Sequence, residues 1–342
     1  MNIHHPLLAE ELNNIAALNL PWDDLAGKTV AVTGATGLVG SYLLRALDAI
    51  DRAHSLKLRL IALCRRPEAA RERLSGMENL SILPYDACAP LDADFRADYV
   101  VHAASNAHPL AFSTDPVGTM QANLLGTMQL LERVRATGGR LLFLSTGEIY
   151  GENPALASFD EHSFGSVDPM RFRACYPESK RAAETLCASY AQQHGVDALV
   201  ARLTYTYGPT ITKENSRADA QFLRCALEDR DIVLKSPGSQ VRSYCYAADS
   251  ASALITLLLK GATGEAYNVA NPDCSVSIRE YAQTIADLAG VQLKFDLPPE
   301  AERAGYSAVT RAVLDPKKLL NLGWRAAYDL REGLMHTLEI SR

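Results

Sequence analysis

A doubly wound α/β fold with a mostly parallel sheet is predicted by three features of the 342-residue sequence. Short apolar runs alternate with helical patterns, several of those runs are apolar throughout, and a glycine-spaced turn joins the first run to the first long helix. Strands covered by helices on both faces have no wet side, so they lose the period-two alternation of a half-exposed sheet.

The elements follow in order. Residues 6–18 have helical apolar spacing and belong to an N-terminal extension over residues 1–26. KTVAVTG (Lys28–Gly34) is a β-branched run ending in glycine, and LVGSYLLRALDAI continues it as a helix. LKLRLIALC and ADYVVHAAS are further strands, TMQANLLGTMQLLERVRAT is a long helix and GGRLLFLST is another strand. PESKRAAETLCASYAQQHG is a helix closed by a C-terminal glycine, and VDALVARLT is the next strand. Beyond about residue 205 the rhythm loosens around Gly208, Pro209, Pro237, Gly238 and Pro272. This predicts a large sheet domain over residues 27–205 and 241–270, and a smaller C-terminal α/β domain over 206–240 and 271–342.

Composition excludes several classes. With 48% hydrophobic and 22% charged residues the chain is an ordinary globular one and not a disordered one. A net charge of −6 without a basic run argues against nucleic acid or an anionic membrane as partner. No apolar stretch approaches a membrane span, and the N-terminus lacks the basic start of a signal peptide. Seven scattered cysteines with no C-x-x-C pair fit free thiols in a reducing cytoplasm and no metal site.

VTGATGLVG places Gly34, Gly37 and Gly40 three apart, after a strand and at the start of a helix. A turn this tight lets backbone approach a pyrophosphate, and the helix N-terminus offers it free N–H groups. The pattern predicts a dinucleotide site in which Thr36, Leu38 and Val39 stand beside the three glycines. Folds that prefer NAD usually carry an acid at the end of the second strand, to bind the ribose diol. Here that place reads LCRRPE. Arg65 and Arg66 either meet a 2′-phosphate, which selects NADP, or are two solvated loop arginines. Asp86, followed by Ala87 in PYDAC, either accepts from the adenine amino group or forms a turn.

YPESK sets Tyr176 and Lys180 four residues apart, on one face of a helix near its start. A phenol in water titrates at about 10, which makes it a poor base at neutral pH, and a nearby ammonium lowers that value. Tyr176 then takes a proton from a sugar hydroxyl, with the Thr146 hydroxyl sharing the hydrogen bond.

In order and spacing, TGATGLVG, VVHAAS, DPVGTMQANLLGT, FLSTGEIYG, YPESKRAAE, RLTYTYGP, GSQVRSYCYAADSASAL, AYNVAN and LDPKKLLNLGW resemble the extended short-chain dehydrogenase/reductases. Those are the nucleotide-sugar epimerases, dehydratases and decarboxylases, and the resemblance covers nearly the whole chain. It implies a Rossmann domain, a tightly held NAD or NADP, a nucleoside-diphosphate sugar as substrate and a homodimer through two long helices near residues 116–136 and 177–194. It makes Thr146, Tyr176 and Lys180 the catalytic hydroxyl, base and pKa-lowering lysine, with Glu148 as a further catalytic candidate. Ala103, Ala104, Ser105, Asn123 and Ser145 join the implied cofactor contacts. Ser105, Thr146, Gly147, Glu148 and Tyr207 are implied substrate contacts, with Arg242 and Arg311 as a diphosphate clamp. Asp249 is a structural residue near Arg242 in this reading.

Thr146-Gly147-Glu148 differs from the Thr-Asp-Glu of dehydratases and the Thr-Ser-Glu of decarboxylases. Glycine removes the dehydratase acid, so 4,6-dehydration is disfavoured. RACYPESKRAAETL is most similar to the decarboxylase branch. Arg173 within it is a reader of a sugar carboxylate or, preferred on sequence, a loop arginine. A nucleotide-sugar epimerase and a decarboxylase both remain open, with an NADPH-dependent keto-sugar reductase as alternative and a non-catalytic binding protein as a remote one.

Overall fold

The computed structural model of the protein describes residues 2–212, 214–297 and 310–342. Its strands are β1 (Thr29–Thr33), β2 (Arg59–Cys64), β3 (Leu80–Pro84), β4 (Tyr99–His102), β5 (Arg140–Thr146), β6 (Asp197–Leu203), β7 (Tyr205–Tyr207), β8 (Ile232–Leu234), β9 (Val241–Tyr246), β10 (Ala266–Val269), β11 (Ser275–Ser277), β12 (Leu293–Phe295) and β13 (Arg311–Ala312). The helices are α1 (Pro6–Ala16), α2 (Leu38–His54), α3 (Pro67–Arg73), α4 (Pro109–Thr114), α5 (Pro116–Thr137), α6 (Cys175–His194), α7 (Ala218–Leu227), α8 (Ala247–Lys260), α9 (Ile278–Ala289), α10 (Lys317–Leu320) and α11 (Leu330–Ser341).

Seven parallel strands form the large sheet in the order β10-β6-β5-β4-β1-β2-β3. All five residues of β1 are buried, as a run covered on both faces requires. One face is covered by α5 and α6, whose Leu130, Leu131, Val134, Ala183 and Cys187 pack on Val100, Leu141 and Phe143. The other is covered by α2 and α8, through Leu43, Leu47, Leu254 and Leu258. The strand order reverses between β1 and β4, and a doubly wound sheet opens its ligand crevice at that point.

Local chemistry sets the helix ends. Asp115 accepts from Gly118 N at 2.9 Å and Pro116 occupies the first turn of α5, where its missing N–H is harmless. Gly195, at φ 64°, closes α6 in the left-handed conformation. Ser277 and Glu280 form a reciprocal capping box on α9.

The second sheet joins β11, β9 and β13, with β7 alongside β9. The stretch 241–270, assigned from sequence wholly to the large domain, therefore divides: β9 lies in the second sheet, while β10 is an edge strand of the first. Both regions share one continuous core.

The N-terminal extension is part of that core. Leu8, Leu12 and Ile15 of α1 are buried against α2 and α8, each contributing about 1.5–3 kcal/mol by transfer from water. Glu11, fully buried on the same face, accepts hydrogen bonds from the hydroxyls of Tyr42 on α2 and Tyr246 at the end of β9. It also meets His336 Nδ1 of α11 at 2.7 Å. One carboxylate thus ties α1 to both sheets' flanking elements. Glu11→Ala strands two phenols and an imidazole, and is expected to destabilise the protein by about 3–5 kcal/mol. The midpoint of urea unfolding checks this, and an unchanged midpoint excludes the tie.

Candidate active site

The glycine turn follows β1 and the Ala103–Ser105 segment follows β4, so both line the crevice at the strand-order reversal. Gly34 has φ +61°, and a Cβ there would stand 2.7 Å from Ala103 O. A Cβ on Gly40 would stand 2.4 Å from Gly34 O. Only glycine permits this turn against the neighbouring loop. Gly37 precedes α2 and supplies no side-chain cap. Leu38, Val39 and Gly40 begin that helix, at the end where backbone N–H groups lack intrahelical partners. Thr36 and Ala35 complete the turn. This is an anion cradle of the kind a pyrophosphate fills.

Ala104 N donates to Thr33 Oγ1 at 3.0 Å, and Thr33 Oγ1 pairs with His102 Nδ1 at 2.8 Å. His102 is wholly buried, and burial pulls its pKa down to about 3, so the ring is neutral. It is a packing and loop-fixing residue. Ser105 Oγ donates to Asn123 Oδ1 at 2.8 Å, and Asn123 Nδ2 donates to Ser179 Oγ at 2.9 Å. Asn123 thereby locks the β4 loop to the start of α6. Ala87 is buried beside Gly126, and Asp86 Oδ1 accepts from Cys88 N at 3.0 Å, which is the turn-forming geometry.

Thr146 ends β5, and its hydroxyl is among the groups that oppose the effect of burial on the Tyr176 phenol. The same oxygen accepts from Glu148 N at 3.2 Å, capping a short 3₁₀ turn over Gly147–Tyr150. Ser145, one residue earlier, points into the interior and its Oγ has no partner among the described residues. Tyr176 is 4% exposed and stacks on Phe112 at 4.7 Å. Burial pushes its phenol up to about 12, and the strongest opposing influence is the cation of Arg217. Lys180 is 2% exposed and burial pulls its amine down to about 7. Its Nζ donates to Leu144 O at 2.6 Å and lies 6.0 Å from the Tyr176 ring. A buried amine with two further donor positions is suited to ribose hydroxyls.

Glu148 pairs with Arg173 at 2.6 Å, and the Arg173 guanidinium lies 4.4 Å over the Phe112 ring. Arg173, read from the sequence as a loop arginine in preference to a carboxylate reader, is thus engaged by Glu148 and Phe112. The fold of residues 151–172, which returns the chain to Glu148, leaves no local sequence signal. A Cβ on Gly147 would meet Leu314 side-chain carbons at 3.1 and 3.2 Å, so any side chain there must shift Leu314.

Two guanidiniums converge on the Tyr205 ring, Arg242 at 5.8 Å and Arg217 at 5.9 Å. Arg311 is exposed and donates to Ala157 O at 2.5 Å, one register position along from Arg242 on the neighbouring strand. Tyr207, placed at the substrate face from sequence, is instead fully buried among Tyr244, Tyr246 and Tyr281. Tyr205, two residues earlier and thus on the same strand face, stands at the arginines in its stead. Arg217 had no motif to mark it. Asp249 serves structure, though through the C-terminal segment: it accepts from Ala327 N at 2.7 Å and Tyr328 N at 3.4 Å.

At the far end of the turn Arg65 and Arg66 follow β2, both exposed, and Arg66 lies 3.7 Å from Glu214. Among the described residues no cluster of His, Cys, Asp or Glu could hold a metal ion, and no helix is long and apolar enough to cross a membrane.

A parallel sheet with a glycine turn at its switch point and a Thr-Tyr-Lys set at the next strand end defines a dinucleotide-dependent enzyme of the short-chain dehydrogenase/reductase type. The chain belongs to the NAD dependent epimerase/dehydratase family, which it matches over residues 30–270. It is 31% identical over 311 residues to UDP-glucuronic acid decarboxylase 6 of Arabidopsis thaliana, covering 89% of this chain and 86% of that one. It is likewise 31% identical over 319 residues to UDP-glucuronic acid decarboxylase 1 of Danio rerio, covering 91% and 72%. Among solved structures it is similar to a Thermus thermophilus UDP-glucose 4-epimerase in complex with NAD, with TM-score 0.77, 28% identity and coverage of 91% and 98%. An epimerase from Methanothermobacter thermautotrophicus shares the fold at TM-score 0.80 and 21% identity, covering 98% and 96%. The cradle at α2, the glycine contacts and the buried amine of Lys180 fit the dinucleotide.

Lys180 also gives a pH signature. Its amine sits at about 7 folded against about 10.5 unfolded, so between these values the unfolded chain binds more protons. This group's contribution to stability therefore falls as pH drops from about 10 to 7, by at most about 1.4 kcal/mol per unit. Urea unfolding of the cofactor-free protein at pH 9 and pH 7 is expected to show that difference, and Lys180→Met is expected to lack it.

Proposed function

We propose that the protein acts on a nucleoside-diphosphate hexuronate and decarboxylates it through a 4-keto sugar intermediate. The observation that carries this reading is the Glu148–Arg173 pair beside Tyr176, with a glycine, packed against Leu314, where a dehydratase acid would stand. The curated relatives named as UDP-glucuronic acid decarboxylases support it.

A bound NAD or NADP supplies the hydride acceptor. Tyr176 takes the proton of the C4 hydroxyl, helped by the cations that oppose the effect of burial, and Thr146 holds that oxygen in line. A ketone at C4 makes the C6 carboxylate a β-keto acid. On loss of CO2 the C5–C6 bonding electrons pass to an enolate at the C4 oxygen, where the Tyr176 and Thr146 hydroxyls stabilise them. C5 then needs a proton, and Glu148 with Arg173 is the proton-handling pair at hand. Arg173 also offers a guanidinium to a carboxylate, and Arg217 with Arg242 flanks the place for a diphosphate.

Incubation with a panel of nucleotide sugars, followed by mass spectrometry and NMR, tests this. Loss of CO2 from a hexuronate is expected. An unchanged mass with an inverted C4 makes the protein an epimerase, and loss of water overturns the role given to Gly147. Arg173→Ala is expected to lower kcat/KM for the hexuronate about 100-fold.

We also propose a homodimer through α5 and α6. Val117, Met120, Leu125 and Met128 are 66%, 38%, 37% and 41% exposed on one face of α5, an apolar stripe without cover in the single chain. Met128→Glu is expected to halve the mass seen by light scattering; an unchanged mass removes that face from the interface.

A further inference from the structure

The adenosine end of the crevice departs from what an NAD site needs, and the departure has a geometry. The residue ending β2 is Cys64, buried at 4% exposure, and no carboxylate follows it before Glu68 in α3. Arg65 and Arg66 occupy the turn between β2 and α3 instead, and β2 is the immediate parallel neighbour of β1, whose end carries the glycine turn. Arg73, at the other end of α3, donates to Thr210 O, and Thr210 Oγ1 donates to Leu38 O at 2.8 Å in the first turn of α2. The segment after β7 is thereby pinned beside the glycine helix and brings Glu214 within 3.7 Å of Arg66. Arg45 backs the same corner by donating to Arg73 O at 2.6 Å. Neither Arg45 nor Arg73 has an ion-pair partner within 4.0 Å among the described residues. Arg65 and Arg66 thus stand at the strand end where the adenosine ribose of a dinucleotide lies in this fold, with the Glu214 carboxylate reaching Arg66 from outside the β2 turn.

We propose that Arg65 and Arg66 read a ribose 2′-phosphate, with Glu214 as the carboxylate it displaces from Arg66, so that the protein holds NADP in preference to NAD. This rests on the dinucleotide-dependent reading above and refines it. Guanidinium forks match phosphate geometry, and a strand end without an acid has nothing to accept the two hydroxyls of an unphosphorylated diol. The Arg66–Glu214 pair is 74% and 64% exposed at its side chains, so water screens it and it is weak enough to be exchanged for a dianion.

Equilibrium binding to the nucleotide-free protein, by calorimetry, tests this without any turnover. NADP+ is expected to bind at least about tenfold more tightly than NAD+, and 2′,5′-ADP more tightly than 5′-AMP by a similar factor, with both ratios narrowing in high salt. Arg66→Ala is expected to remove most of the ratio while leaving NAD+ affinity within about threefold, and Glu214→Gln to widen it by relieving repulsion of the phosphate. Both side chains are exposed, so the variants fold. Equal or tighter binding of NAD+ overturns the proposal. Weaker NAD+ binding in Glu214→Gln also overturns it, by making Glu214 the acceptor for the diol. Binding of neither dinucleotide overturns the cofactor reading itself and this proposal with it.

Discussion

The close approach of two loops at the reversal of the sheet is the constraint from which the rest of the site follows. A Cβ at position 34 would stand 2.7 Å from Ala103 O, so the loops after β1 and β4 meet only because residue 34 is glycine. That contact opens α2 toward the crevice and fixes where His102, Ala104 and Ser105 lie. From Ser105 the positioning passes through Asn123 to Ser179, one residue before Lys180. The helix that carries Tyr176 and Lys180 is therefore registered against the anion cradle by a short chain of polar contacts. Such contacts are costly to leave half-made, and that gives them their precision.

Burial shapes the acid–base chemistry as much as charge does. Tyr176 and Lys180 are both removed from water, which raises the phenol and lowers the amine. In the free protein the amine rests on a backbone carbonyl, and Arg217 is the main cation acting on the phenol. The site thus has a tuning cation outside the familiar Tyr-x-x-x-Lys pair. It comes from the segment leading into α7, so a residue beyond the large sheet influences the acidity of the phenol on α6.

Much of this was legible in the sequence, for identifiable reasons. The parallel sheet showed in uniformly apolar strands such as Val30–Val32, and the cradle in the spacing of Gly34, Gly37 and Gly40, because both depend on neighbours in the chain. Tyr176 and Lys180 share a helix face, so their pairing was legible too. What stayed hidden depends on long returns of the chain. Arg173 meets Glu148 across 25 residues, Arg217 meets Tyr205 across a loop, and Glu11 meets His336 from opposite ends. Tyr207 was misplaced because two tyrosines on one strand face are equivalent by periodicity, and only the packing of Tyr244 and Tyr281 separates the fully buried one from its half-buried neighbour.

Gly147 acquires a physical reason that sequence comparison alone does not supply. It is not held by backbone strain, since its φ lies outside the left-handed region. Leu314 presses on it from the segment after β13, and Ile149, Tyr150 and Phe159 pack around that leucine. The apolar wall and the glycine are therefore one feature: a side chain at 147 must move Leu314, and a charged one must also be desolvated against it. Glu148, the next residue along the chain, keeps its carboxylate clear of that wall by pairing with Arg173.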